Sequence, residues 1–186
     1  MAGTLTRENL LDRLEVRITQ EQLQTRIREM AGEINKAYQS CEKLIVIGVL
    51  KGSFLFMADL IRHLDVPCHV EFVRLASYGD AKTSSGTVKA MDLSLPELTG
   101  EHVLIVEDIV DTGLTLQFFK DYLESLHKTE SLRLAVLLDK PATRQTNITI
   151  DYAGFQVENE FLVGYGLDFA GYYRNLPYIG VVTDAD

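Results

Sequence analysis

Residues 103–116 read VLIVEDIVDTGLTL, and they set three carboxylates, Glu107, Asp108 and Asp111, within five positions beside a Gly/Thr loop. An apolar strand that turns into a helix leaves unpaired amide donors and the positive end of the helix dipole at one point, which attracts a phosphate. Gly113 lets the backbone approach closely, and Thr112 and Thr115 add hydroxyl donors. Neither GxxxxGK[ST] nor GxGxxG is present, so this is not a Walker loop or a dinucleotide fingerprint. Carboxylates only accept hydrogen bonds, and two adjacent ones suit a vicinal diol such as that of ribose. They also suit Mg²⁺, a hard cation that shares its oxygen ligands with substrate phosphates. The pattern therefore predicts a sugar phosphate, with amides on the phosphate and acids on the neighbouring sugar and metal. A plain strand-to-helix turn with capping acids is the alternative, and it gives no reason for three acids together with Asp-Thr-Gly-x-Thr.

The elements around the loop read as an alternation of strands and helices. Thr19 and Gln22 form a capping box ahead of a helix over 19–40, with Leu23, Ile27, Met30, Ile34 and Ala37 as its apolar stripe. KLIVIGVL (43–50) is a short β-branched run of the kind buried on both faces of a parallel sheet. SFLFMADLIRHL (53–64) is helical, with Ser53 as its cap. Strands are predicted at 68–78 and 88–94, in a strand ending at Glu107, at 132–140, and around 148–154, 161–166 and 177–183. A helix beginning near Gly113 links two of them. Such alternation implies an α/β protein with a mostly parallel, twisted sheet flanked by helices, whose ligands sit beyond the carboxyl ends of the strands. LKGS, EDIVDTGLT and DKPATR all fall at such ends. GDAKTSSGT (79–87) reads as an exposed hairpin loop or a mobile lid.

The chain has 186 residues, 46% of them hydrophobic, with 18 Lys and Arg against 27 Asp and Glu and a formal charge of −9. That length and apolar content predict one domain spanning 1–186. The acidic balance argues against a nucleic-acid partner, which needs excess basic residues on its phosphates. Cys41 and Cys68 are too few and too far apart for a disulfide scaffold or a zinc site, and the four histidines do not supply the missing spacing. With no signal-peptide core and no apolar run approaching the ~20 residues that span a bilayer, a soluble cytoplasmic protein is expected.

VLIVEDIVDTGLTL closely resembles the phosphoribosyl-pyrophosphate motif of the type I phosphoribosyltransferases. GVLKGSFLFMADL, VEFVRLASYGD, LLDKPATR and FLVGYGLDFAGYYRNLPYIGVV resemble the hypoxanthine and hypoxanthine-guanine branch in order and spacing, over roughly residues 40–183. Leu114 stands where some members carry Lys, at a position where amides rather than side chains hold the phosphate.

The resemblance implies the type I phosphoribosyltransferase fold, with a small hood formed by the N- and C-terminal segments and a flexible lid loop. It implies Mg²⁺, a 6-oxopurine and phosphoribosyl pyrophosphate as ligands, and a homodimer or homotetramer. Glu107 and Asp108 are then assigned to the ribose hydroxyls and, with Asp168, to the metal. Asp111 becomes the general base or acid near purine N7. Asp111, Thr112, Gly113, Leu114 and Thr115 form the 5′-phosphate loop. Lys51, Gly52 and Arg174 reach pyrophosphate, with a cis peptide implied between Leu50 and Lys51. Lys140 meets purine O6, Phe161 stacks on the base, and the Leu162 backbone reads the N1/C2 edge. Ser77 and Tyr78 lead into the lid. On the residues alone, Lys140 is a solvated loop lysine, and Phe161 and Leu162 are core residues of a short strand. Two other readings stay open: a nucleotide-sensing RNA-binding regulator on the same fold, and a transferase acting on xanthine or another base.

Overall fold

The computed structural model describes residues 14–76, 89–92 and 94–183. The segment 79–87, together with Ser77 and Tyr78, lies outside the described residues. Strand β1 (Leu14–Ile18) leads into helix α1 (Gln20–Tyr38). Next come β2 (Leu44–Leu50), α2 (Phe54–Ile61), β3 (Cys68–Ala76) and β4 (Lys89–Asp92). Strand β5 (His102–Val110), helix α3 (Leu114–Leu126) and β6 (Ser131–Asp139) follow. A 3-10 turn at Pro141–Thr143 precedes β7 (Tyr152–Gln156), β8 (Leu162–Val163) and β9 (Ile179–Val182).

Six strands form one sheet in the order β4-β3-β2-β5-β6-β7. β3, β2, β5, β6 and β7 run parallel, and β4 pairs antiparallel with β3. The period-2 alternation of a strand divides the buried residues between two layers. Leu44, Val46, Leu104 and Val106 face the cluster built with α1 and α2, while Ile45, Ile47, Val103 and Ile105 face the one built with α3. The expected parallel α/β sheet with helices on both faces is thus observed.

Thr19 caps α1 through the expected capping box, with the Gln22 amide on Thr19 Oγ1 at 3.3 Å and the Thr19 amide on Gln22 Oε1 at 2.8 Å. Such a cap contributes ~1 kcal/mol. Each of Leu23, Ile27, Met30 and Ile34, fully buried, contributes ~1.5–3 kcal/mol, so packing rather than capping holds the helix. The stripe ends differently from the expectation. Ala37 is exposed, and Tyr38, four residues beyond Ile34, takes the inward position. Ser53 occupies the cap position of α2 without capping it, because its hydroxyl donates to the Val49 carbonyl at 2.6 Å.

Strand β1 was not among the expected elements. It pairs antiparallel with β9, which pairs with β8, giving a separate three-stranded sheet. Residues 14–18 and 179–182, from opposite ends of the described chain, therefore meet in one small sheet. Cys41 and Cys68 are half-buried free thiols. Among the described residues, no helix is long and apolar enough to cross a membrane.

Candidate active site

The first parallel strand in the chain, β2, lies inside the sheet, with β3 on one side and β5, β6 and β7 on the other. The winding direction therefore reverses between β2 and β5, the position where open α/β sheets bind ligands. The Lys51–Gly52 turn leaves the end of β2, and the 111–115 loop leaves the end of β5.

Glu107 and Asp108 sit inside β5, which continues to Val110, rather than at a strand end as expected. Asp108 is 8% exposed. Burial, and after it the adjacent Asp108, push the Glu107 carboxyl well above the ordinary carboxylate range. Neither acid has an ion-pair partner among the described residues, so none of the described cations neutralises this pair. Gly113 adopts φ +78° at the start of α3, and a Cβ there would run into Thr146 Oγ1. Both the backbone angle and the space thus require glycine. Helix geometry leaves the first amides of α3 without intrahelical acceptors. Leu114 N donates to Thr112 Oγ1 at 3.4 Å, and Gln145 N, from the turn beyond β6, holds the Thr112 carbonyl at 2.9 Å.

Two cavities open here. One, of about 370 Å³, is walled by Leu50, Glu107, Asp108, Asp111, Thr112, Gly113 and Thr115, whereas the exposed Leu114 side chain does not line it. The other, of about 230 Å³, is walled by Lys140, Phe161, Leu162, Asp168 and Arg174. Asp108, Ile109 and Asp111 line both. The cavities therefore share one acidic wall, and ligands filling them would meet across it.

Lys140 is 7% exposed, which overturns its reading as a solvated lysine. Its ammonium donates to the Glu160 carbonyl at 2.8 Å and stands 4.0 Å from Asp111 Oδ2. Leu162 is buried, whereas Phe161 is 54% exposed and meets Phe169 edge-to-face with ring centres 5.5 Å apart. Phe161 is therefore no core residue; its ring stands at the mouth of the second cavity. Asp168 is ion-paired with Arg174, and Arg174 also donates to the Gly166 carbonyl. Among the described residues no three acids, histidines or cysteines converge as a ready metal cage. Glu107 and Asp108 stand beside the first cavity and Asp168 in the second, an oxygen-only set suited to a hard cation that arrives with substrate oxygens.

The Leu50–Lys51 peptide is cis, as the resemblance implied. Gly52 is buried so tightly that a Cβ on it would fall on the Asp108 carboxylate. Tyr165 and Asp59, absent from the expected site, are joined by a hydrogen bond just outside it. No motif marks that pair in the sequence; the Gly-Tyr-Gly triplet at 164–166 is its only local signal.

The family described as Phosphoribosyl transferase domain matches residues 18–170. The chain belongs to the phosphoribosyltransferase family. A hypoxanthine-guanine phosphoribosyltransferase of Bacillus subtilis is 44% identical over 171 residues, covering 92% of this chain and 94% of the relative. A hypoxanthine phosphoribosyltransferase of Haemophilus influenzae is 42% identical over 172 residues, covering 91% and 96%. The crystal structure of a hypoxanthine phosphoribosyltransferase from Staphylococcus aureus superposes with a TM-score of 0.89 at 38% identity, covering 96% of this chain and 97% of that one. The phosphoribosyltransferase reading of the 103–116 motif and the hypoxanthine branch named from the flanking segments are thus both met by relatives over nearly the whole chain.

Proposed function

We propose that the protein is a purine-salvage enzyme that transfers the phosphoribosyl group of phosphoribosyl pyrophosphate to hypoxanthine, and to guanine. The products are IMP or GMP and pyrophosphate. One observation carries the proposal beyond family membership: two cavities share the Asp108–Asp111 wall, and a buried lysine lines the second. A bond forms between a purine ring nitrogen and C1′, the C1′–O bond to pyrophosphate breaks, and Asp111 takes the proton displaced from the purine. Glu107 and Asp108 accept hydrogen bonds from the ribose hydroxyls. The amides and hydroxyls of Thr112–Thr115 hold the 5′-phosphate, while Lys51, Gly52 and Arg174 hold the pyrophosphate. Lys140 donates to O6, which favours a 6-oxopurine over adenine, whose amino group cannot accept. Phe161 stacks on the base, and the Leu162 backbone faces its C2 edge. Mg²⁺, when bound, acts as a Lewis acid on the leaving group, and Glu107, Asp108 and Asp168 would hold it together with substrate oxygens. Ser77 and Tyr78 are proposed to close over the pyrophosphate. The protein is expected in the cytoplasm as a homodimer or homotetramer.

The test is a panel of hypoxanthine, guanine, xanthine and adenine, each with phosphoribosyl pyrophosphate and Mg²⁺, following nucleotide formation. Turnover of hypoxanthine or guanine is expected, abolished by EDTA. Asp111→Asn is expected to lower kcat by roughly 10²- to 10⁴-fold, the usual weight of a general acid–base group. Preferred turnover of adenine, or none of any base, overturns the proposal.

A further inference from the structure

Tyr165 has a backbone φ of +48°, between Gly164 at +95° and Gly166 at +102°. A residue with a Cβ is uncommon in that region and is held there only by surroundings that require it. The two glycines are required by contact. A Cβ at Gly164 would strike the Tyr178 carbonyl, and one at Gly166 would strike the Gly52 carbonyl. No such contact calls for a tyrosine between them. Its reason is its other end: the ring is 5% exposed, and the phenol hydroxyl donates to Asp59 Oδ2.

Asp59 lies in α2, the helix that begins directly after the Lys51–Gly52 turn. The same Oδ2 accepts from Gln24 Nε2 of α1 at 2.7 Å, and Oδ1 is paired with Arg62. The 164–167 turn therefore passes over the pyrophosphate loop and is fastened beyond it to the helix that follows that loop. Beneath lies a second close approach, Gly52 on the Asp108 carboxylate. The Gly166 and Gly52 backbones are thus in direct contact with no room for a side chain between them, and the Asp108 side-chain carboxylate packs against Gly52. On the outer side the turn carries the second cavity. Gly166 N donates to the Arg174 carbonyl at 2.9 Å, Tyr165 N donates to the Leu176 carbonyl at 2.9 Å, and Leu167 and Asp168 follow as wall residues.

We infer that Tyr165 and Asp59 are a positioning pair for the transfer reaction: their bond seats the 164–167 turn on the Lys51–Gly52 loop and so sets the distance between the two substrate cavities. Neither residue lines either cavity, so the pair acts through Gly52, Asp168 and Arg174. This rests on the phosphoribosyl-transfer reading above.

The test uses the full chain with Tyr165→Phe, Asp59→Asn and the double variant, measuring initial rates with each substrate varied and a thermal melt of each protein. Tyr165→Phe keeps the ring and Asp59→Asn keeps the shape, so either variant alone can decide the matter if the other does not fold. The expected result is a rise of about tenfold in KM for both purine and phosphoribosyl pyrophosphate in each single variant, with kcat changed less. The double variant is expected to be no worse than the worse single one, since Tyr165→Phe removes the bond and Asp59→Asn weakens the same bond by removing its charge. A role confined to stability would lower the melting temperature and leave both KM values at the wild-type level, and that result overturns the inference. Independent, multiplying effects of the two changes overturn it as well. A wild-type protein without purine transfer defeats the underlying reading and this inference with it; an active wild type with unmoved variants defeats the pairing alone.

Discussion

Lysine is among the residues least often fully buried, yet Lys140 is closed off from solvent and holds one backbone carbonyl and one distant carboxylate. Among the described residues those two partners leave a donor of the ammonium for the second cavity. A hydrogen bond to a charged group contributes about 1.5–3 kcal/mol, or roughly 10- to 150-fold in a rate or affinity. Lys140→Met is accordingly expected to lower kcat/KM for hypoxanthine by one to two orders of magnitude, while KM for phosphoribosyl pyrophosphate moves little; steady-state kinetics with each substrate varied checks this. The sequence discloses such residues unevenly. The three acids and Gly113 are legible because their spacing is local and their chemistry has one economical explanation. The burial of Lys140 is not, because the Glu160 carbonyl that receives it lies 20 positions away. Tyr165 is hidden for the same reason, with its partner 106 positions off.

At the scale of elements, helix α2 is short, packed through the buried Phe56, Met57 and Leu60, and tied by Asp59 to two neighbouring elements. Partial burial disfavours the Asp59 anion, but hydrogen bonds from Tyr165 of the 164–167 turn, Gln24 of α1 and Arg62 outweigh it and hold the carboxyl below its ordinary range. A carboxyl depressed in the folded state stabilises the protein above its unfolded pKa, near 3.9, and loses that contribution as pH falls through the folded value. The stability difference between wild type and Asp59→Asn is therefore expected to be steady from about pH 8 to pH 6 and to shrink below about pH 4. Urea unfolding at several pH values measures it. The helices and buried strands were readable because periodicity and β-branching coincide there. β1 escaped although LEVRI alternates strictly, since Val16 faces outward at 46% exposure and the strand exists by pairing with β9, which follows it at the far end of the chain. Strand β5 overran its expected end because ladder pairing with β6 continues through Glu107, Ile109 and Val110, and local sequence cannot show a partner strand.

Across the whole molecule, local elements became a site through strand order. The chain winds one way from β2 to β3 and the other way through β5, β6 and β7, bringing together residues from 51 to 174. Alternating strands and helices foretold a parallel sheet, but the order of its strands is a property of the packed whole. Ligands that bridge this site bind only the folded state, so they should raise its stability by RT ln(1 + [L]/Kd), ~2.7 kcal/mol at a hundredfold excess over Kd. For a chain of 186 residues, at ~2–4 °C per kcal/mol, that is a rise of roughly 5–10 °C in Tm. Phosphoribosyl pyrophosphate with Mg²⁺ is expected to give it and EDTA to remove it; scanning calorimetry of the full chain reads both.

The single acidic wall between the two cavities also bears on how such a catalyst behaves in a crowded metabolism. On the proposed assignment of the two cavities, a finished nucleotide would carry its base on one side of Asp108–Asp111 and its sugar phosphate on the other. It would therefore exclude both incoming reactants at once. A cell well supplied with the nucleotide would slow its own recovery of free bases through simple occupancy, and a starved cell would release that brake, with no separate sensor required.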